Sequence, residues 1–513
     1  MSNDFDRRAL LKGLGAAGAL AAFQGFGSTA HAGPIRPGGW GRRPDHFGMT
    51  REYKVLELFL YGGLSPWETF YVRPDSGFAE RSRFTSAFDA LTWSCTDVPR
   101  GHEAVYHSSR YFARDSASRS VYLGPATQPL WRSSRLVDRL RLIVMQHDLL
   151  PHEAAVPYAM TGQRLGSPRF SGLGAPISRR TRDLDPSRSI PVSYAIIPDP
   201  FFAADNLVAT TAVGTHPSAD RPLQLKIGDA STALSSRLTR GGATPERDRI
   251  VNVMRDAYAD QMSWPGRGRL RSKHFDAYEA SLRQVLNAPA LSTLLPSSMF
   301  TIADESSCIT RSPGFSEPNR GKTSLGLAAH LLAPAGANAD YVAVVDNGRI
   351  QEGGAGYDVH SNLAPVTFIN LYSILDELET LVAAGSIDLD ETLIVINTEF
   401  GRTPHLAGSF GRDHYPLGYV VGMLGGPITS RGIAGSMTAG VLPEAAGTPF
   451  CASDVLGATL LAAGIDPTNN DIFGVGDFSG NVANAVGASG IGSLTDEEKV
   501  RRGLGKHILG LPL

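Results

Sequence analysis

Residues 390–423 read DETLIVINTEFGRTPHLAGSFGRDHYPLGYVVGM. The run Thr392–Asn397 is almost unbroken in its apolarity, the pattern of a strand in a parallel sheet covered on both faces. It passes straight into Thr398, Glu399, Arg402 and His405, then into a Gly-rich loop with Arg412, Asp413 and His414, and then into a second apolar strand over 419–424. In open α/β sheets, ligands bind beyond the carboxyl ends of the strands. A carboxylate, two guanidinium groups and an Asp-His pair at such a place read as a site.

Working outward, the same pattern recurs. The strand 54–61, KVLELFLY, breaks into Gly62-Gly63-Leu64-Ser65-Pro66-Trp67-Glu68-Thr69. Two glycines let the backbone clear space for a ligand, and Ser65 reads either as a nucleophile on that loop or as a helix cap. A strand over 140–146 ends at His147-Asp148 and leads to His152-Glu153 and a helix over 154–160. His152 is read there as a site residue or as a hydrogen-bonded loop histidine. The strand 341–345 breaks into Asp346-Asn347-Gly348, and Gly356-Tyr357-Asp358-Val359-His360 follows before a long helix over 364–384. With Thr392–Asn397 this makes a βαβ unit, which brings Asp358, His360 and Glu399 toward one end of one sheet. The fold class expected is α/β, a doubly wound, mostly parallel sheet with helices on both faces and loop-rich excursions.

Asp358, His360, Glu399, Asp413 and His414 are two imidazoles and three carboxylates, ligand types that suit zinc, manganese, magnesium or calcium. The spacing of Asp358 and His360 puts both on one face of an extended segment. Arg402 and Arg412 are the pair expected to clamp an anionic oxygen, with Ser65 or Thr69 as nucleophile. The alternative is a Glu399–Arg402 salt bridge stapling a turn, with the Asp-His pairs as loop hydrogen bonds.

Of 513 residues, 42% are hydrophobic and 19% charged, as in ordinary soluble globular proteins, and the net charge of -2 argues against a nucleic-acid partner. The N-terminus reads as a targeting segment: paired Arg7 and Arg8 with Lys12, a short apolar core over 13–23, and Ala30-His31-Ala32 as a cleavage site. That core is too short for a stable membrane span. The paired arginines resemble a signal for the twin-arginine export machinery, so the expected location is periplasmic or extracellular. Cleavage after residue 32 removes three cations and two anions and moves the charge from -2 to -3. Two motif matches are rejected: Gly13-Leu14-Gly15-Ala16-Ala17-Gly18 follows a charged head rather than a strand, and Gly321-Lys322-Thr323 lacks the leading strand and glycine of a phosphate loop. Three cysteines, Cys95, Cys308 and Cys451, allow at most one disulfide and no thiolate metal site.

Taken together, Thr398-Glu399-Phe400-Gly401-Arg402-Thr403-Pro404, Gly411-Arg412-Asp413-His414, Gly425-Gly426, Gly356-Tyr357-Asp358-Val359-His360 and Gly62-Gly63-Leu64-Ser65 resemble the exported bacterial domain-of-unknown-function family 1501 over about residues 54–466. That family resembles the alkaline phosphatase and sulfatase superfamily, which implies metal ligands on loops after the strands. On that resemblance Asp358 and His360 match the central Asp and His ligands, Glu399 stands where an Asp does, and His414 stands near the late His. Phe400 stands where the superfamily has a ligand histidine, which leaves one imidazole fewer.

The domain reading is a signal over 1–32, a flexible lead over 33–51, a single α/β domain over 52–480 with a loop-rich insertion around 165–320, and a tail over 481–513. The function expected is an exported metal-assisted hydrolase of phosphate or sulfate esters. Its partner would be an anionic small-molecule or glycan substrate; the alternative is a non-catalytic periplasmic or cell-surface protein that binds an anionic glycan on the same scaffold.

Overall fold

Strand β1, Lys54–Leu60, alternates its side chains between two apolar layers: Leu56, Leu58 and Leu60 enter one, Val55 and Phe59 the other. Both layers exist because β1 sits in the middle of an eight-stranded sheet. The other strands are β2 (Leu140–Met145), β3 (Tyr194–Ile197), β4 (Leu223–Gln224), β5 (Tyr341–Asp346), β6 (Thr392–Asn397), β7 (Tyr419–Gly425) and β8 (Gly432–Ala434). Their order across the sheet is β8-β2-β7-β6-β1-β5-β3-β4. Every adjacent pair is parallel except the two involving β7, so β7 alone runs the other way.

This is a computed structural model, and it describes residues 42–73, 111–184, 192–198, 222–227, 293–302, 320–483 and 494–512, less short gaps within several of these ranges, with isolated positions between 211 and 291. All of them belong to one unit, Trp40–Leu513. The expected signal over 1–32, most of the lead over 33–51, Cys95 and Cys308 lie outside the described residues.

One face of the sheet is covered by α3 (Arg320–Leu332) and α4 (Leu363–Ala383), the other by α1 (His152–Thr161), α2 (Gly174–Leu184), α5 (Ala452–Ala462) and α6 (Asp496–Gly503). Helices on both faces make the sheet doubly wound, as the unbroken apolar strands require. Each fully buried Leu, Ile or Phe in these layers contributes about 1.5–3 kcal/mol relative to an exposed one. Gly321-Lys322-Thr323 lies in α3, so no phosphate loop forms there. The strand expected over 140–146 and the helix expected over 154–160 appear as β2 and α1, and α1 starts at His152 itself. Among the described residues no helix is long and apolar enough to cross a membrane.

The topology has one consequence for chemistry. Loops leaving the carboxyl ends of β1, β2, β5 and β6 emerge on the same edge of the layers, and because β7 is reversed, the segment that enters it comes from that edge too. Residues 62–69, 147–152, 346–360, 398–405 and 411–418 are those segments.

Candidate functional site

The loops meet around Asp358. Its Oδ1 accepts from Arg402 Nη2 at 2.5 Å and lies 3.1 Å from His360 Nε2 and 3.2 Å from His414 Nε2; its Oδ2 lies 3.4 Å from His152 Nε2. Burial opposes ionisation, but the neighbouring imidazoles of His152 and His414 and the charge of Arg402 outweigh it and hold this carboxyl far below the usual range.

His152, on the first turn of α1, is wedged between rings. Tyr61 stacks on it at 5.1 Å, Phe400 lies at 5.0 Å and His414 at 4.7 Å. Its Nδ1 is 2.8 Å from Glu399 Oε1, while Nε2 is buried without a hydrogen bond of good geometry. Burial alone would lower its pKa, but Asp358 and Glu399 raise it to about 9.

Glu399 is completely buried. Besides the bond to His152, its Oε1 accepts from Gly62 N at 2.7 Å, Thr398 Oγ1 is 3.3 Å from Oε2, and its carbonyl is 2.6 Å from His147 Nε2. His147 is held by that bond and by Leu149 N, which donates to its Nδ1 at 3.1 Å, so the ring is neutral with the proton on Nε2. Burial lowers its pKa accordingly. Gly62 is required for this approach: its φ is +119°, and a Cβ there would sit 2.2 Å from Asp358 N.

His152, Asp358 and His414 offer ligand atoms that all lie within 4.8 Å of one another. Sites for zinc place such atoms about 3.3 Å apart, as its ligand distances of ~2.0–2.2 Å in a tetrahedron require, so a small contraction suffices. With Nδ1 given to a carboxylate and Nε2, lacking a hydrogen bond of good geometry, turned toward Asp358 Oδ2 at 3.4 Å, His152 has the orientation that metal-binding histidines adopt. Two imidazoles and one carboxylate, all partly exposed to solvent, fit a divalent cation.

The other residues singled out in sequence are placed as follows. His360, half exposed at the mouth, lies 5.2 Å ring to ring from His414, and burial together with the charge of Arg402 lowers its pKa. Asp413 is largely exposed; its Oδ1 accepts from His414 N at 2.8 Å and lies 3.9 Å from His360 Nδ1. Glu399 holds His152 rather than joining the three converging groups.

The anion clamp expected of Arg402 and Arg412 is corrected. Arg402 is the largest fully buried side chain among the described residues; it donates to Gly63 O at 3.1 Å, Arg412 O at 3.0 Å, Gly62 O and Asp358. Arg412 donates to Thr403 O at 2.9 Å and pairs with Glu68. Buried carbonyls converging from three loops demand a multi-donor cation, and a guanidinium answers that demand with its fixed fork. Both arginines therefore staple loops. Ser65 is corrected as well: it is buried, its hydroxyl donates to Glu68, and Thr69 Oγ1 donates to Ser65 O at 2.5 Å. Both residues are closed off from solvent. The residue that sequence reasoning left undecided is His152, whose only signal was its place just past the end of a buried strand.

The model of the family described as "Protein of unknown function (DUF1501)" matches residues 52–479. No curated protein matches. Among solved structures, the chain is similar to "Structure of alkaline phosphatase from the Antarctic bacterium TAB5", at 11% identity and a TM-score of 0.31, over 75% of this chain and 95% of that one.

Proposed function

We propose that this chain, which belongs to the family of unknown function DUF1501 over residues 52–479, is a metal-assisted hydrolase of phosphate or sulfate esters whose nucleophile is water. One observation carries the reading: His152, Asp358 and His414 converge from three distant segments, with His152 Nε2 buried, lacking a hydrogen bond of good geometry, and its ring oriented by Glu399. His152, Asp358 and His414 would hold the cation. Two imidazoles favour zinc over magnesium or calcium, which prefer oxygen ligands. When bound, such a cation supplies Lewis acidity toward an ester oxygen and toward water.

The chain's own groups do the rest. Glu399 accepts from His152 Nδ1, so the proton that a cation would displace is the one on Nε2. Arg402 neutralises Asp358 from its buried side and leaves the other carboxylate oxygen toward His152. His360, half exposed at the mouth, is placed to accept a proton from water or return one to a leaving group. Phe400 and Tyr61 wall the site with rings that exclude competing water.

The ester class is carried over from the motif resemblance. Export by the twin-arginine machinery, and with it a periplasmic or extracellular location, rests on the segment 1–32. The alternative, a non-catalytic protein holding an anionic glycan through Arg402 and Arg412, has no observation in its favour, because both guanidiniums are committed to the chain.

Elemental analysis of the purified protein, joined to a panel of aryl phosphates and sulfates, tests the reading. About one zinc or manganese per chain with turnover of one panel member supports it. Substoichiometric metal after incubation with excess zinc or manganese, with the whole panel untouched, overturns it.

A further inference from the structure

Helix α1 is fastened to the end of β6 at two points. At its first turn, His152 Nδ1 meets Glu399 Oε1 at 2.8 Å. Near its last turn, Asn397 Nδ2 donates to Ala159 O at 3.1 Å. That carbonyl needs an outside donor, because its helical partner, the N–H of Gln163, turns instead to Thr161 Oγ1 at 3.1 Å once Gly162 ends the helix in a left-handed conformation.

Asn397 is itself rigidly held. Its second amide hydrogen goes to Glu57 Oε1 at 2.9 Å, and its Oδ1 accepts from Thr398 N at 2.9 Å. Glu57, wholly buried in the middle of β1, is fixed in turn by the Tyr341 hydroxyl of β5. The amide of Asn397 thus ties α1 to three neighbouring strands at once.

Spacing gives this tie its meaning. His152 and Ala159 are seven residues apart, about 10.5 Å along a helix. Two attachments at that distance hold the helix axis to β6, while the Ser453 hydroxyl of α5, donating to Gly162 O at 2.9 Å, holds only the cap beyond the helix end. Apolar packing under α1, through Val156, Ala159 and Met160, is non-directional and does not set such an angle. Pro157, inside the helix, removes one further internal hydrogen bond and makes α1 more dependent on outside anchors.

We infer that Asn397 is a positioning residue: by anchoring the far end of α1 it sets the direction of His152 Nε2 toward Asp358 and His414, so the affinity of the site for a divalent cation depends on an amide that never touches it. This rests on the metal reading above.

The test uses the full chain carrying Asn397→Leu, which keeps the volume and removes both donors, and Asn397→Ser, should the first variant fail to fold. Cobalt(II) is titrated into each, with affinity and visible absorption as readouts, and amide exchange over 152–161 is followed without metal. Expected are cobalt binding about 10–100-fold weaker, as for other residues behind metal ligands, an altered cobalt spectrum, and faster exchange over 152–161. Glu57→Gln keeps the acceptor for Asn397 and should bind cobalt as the parent chain does. An Asn397 variant with unchanged affinity and spectrum overturns the inference. If the parent chain binds no cobalt, the metal reading fails by itself, and the exchange arm decides the tie: protection unchanged over 152–161 overturns it, and faster exchange confirms it.

Discussion

His152 and Glu399 are 247 positions apart in the chain and meet at 2.8 Å, imidazole Nδ1 against a carboxylate with no exposure to solvent. The pair converts a loop histidine into an oriented one. Burying a carboxylate is costly unless it is bonded, and Glu399 is bonded from Gly62, Thr398 and His152 together.

Glu399→Gln keeps the size and an acceptor oxygen but removes the charge that orients His152. Metal affinity, measured by competition with a chelator, is expected to fall about 10–100-fold. An unchanged affinity would show that Glu399 does not orient the ligand.

Ser65→Ala and His152→Ala should part company. Ser65 donates to Glu68 inside the protein, so its loss leaves a buried acceptor short of one partner and costs about 1–3 kcal/mol of stability, while turnover of any accepted ester survives. His152→Ala should remove metal and turnover together. Loss of turnover in a folded Ser65→Ala chain that still holds metal would restore the serine nucleophile and sink the water mechanism.

Arg402→Met tests the staple. The change leaves Gly62 O, Gly63 O and Arg412 O without their donor and Asp358 without its cation. Breaking a buried pair in this way costs about 3–5 kcal/mol, to be read from urea midpoints with a chelator present. A cost below about 1 kcal/mol would mean the guanidinium is not structural.

Stability should also carry the mark of Glu57. Burial raises its pKa above the ordinary 4.5, more than the bonds from Asn397 and Tyr341 lower it. A carboxyl whose folded pKa is raised holds its proton more tightly when folded, so its stabilising contribution is full below 4.5 and is lost as pH rises through the folded value. Tyr341, itself shifted upward by burial and by Glu57, stays neutral across that window. Glu57→Gln should therefore flatten the fall in urea midpoint as pH rises from 4.5. Parallel pH profiles for the two chains would contradict the raised pKa.

Much of this molecule is legible without coordinates. β1, β5 and β6 are readable because six or seven consecutive residues are apolar or nearly so, which only a strand covered on both sides can bury. The α3–β5–α4–β6 succession follows from the change of period from strand to helix. The direction of β7 is not readable, because an apolar run looks alike in parallel and antiparallel neighbours. Nor are the fates of Arg402 and Arg412, since charged residues in Gly-rich loops are by default exposed.

What the amino-acid sequence determines by itself is local: the period of each element, the breaks where strands become loops, and the polar residues those loops carry. Which of those residues meet is settled by strand order and loop closure. Asp358 is recognisable as a candidate ligand from its neighbours, but its contacts with His152, Arg402 and His414 depend on four segments arriving at one sheet edge. Side-chain encounters across hundreds of residues are properties of the packed layers, since no local window contains both partners and their energies exist only once water has been excluded from between them.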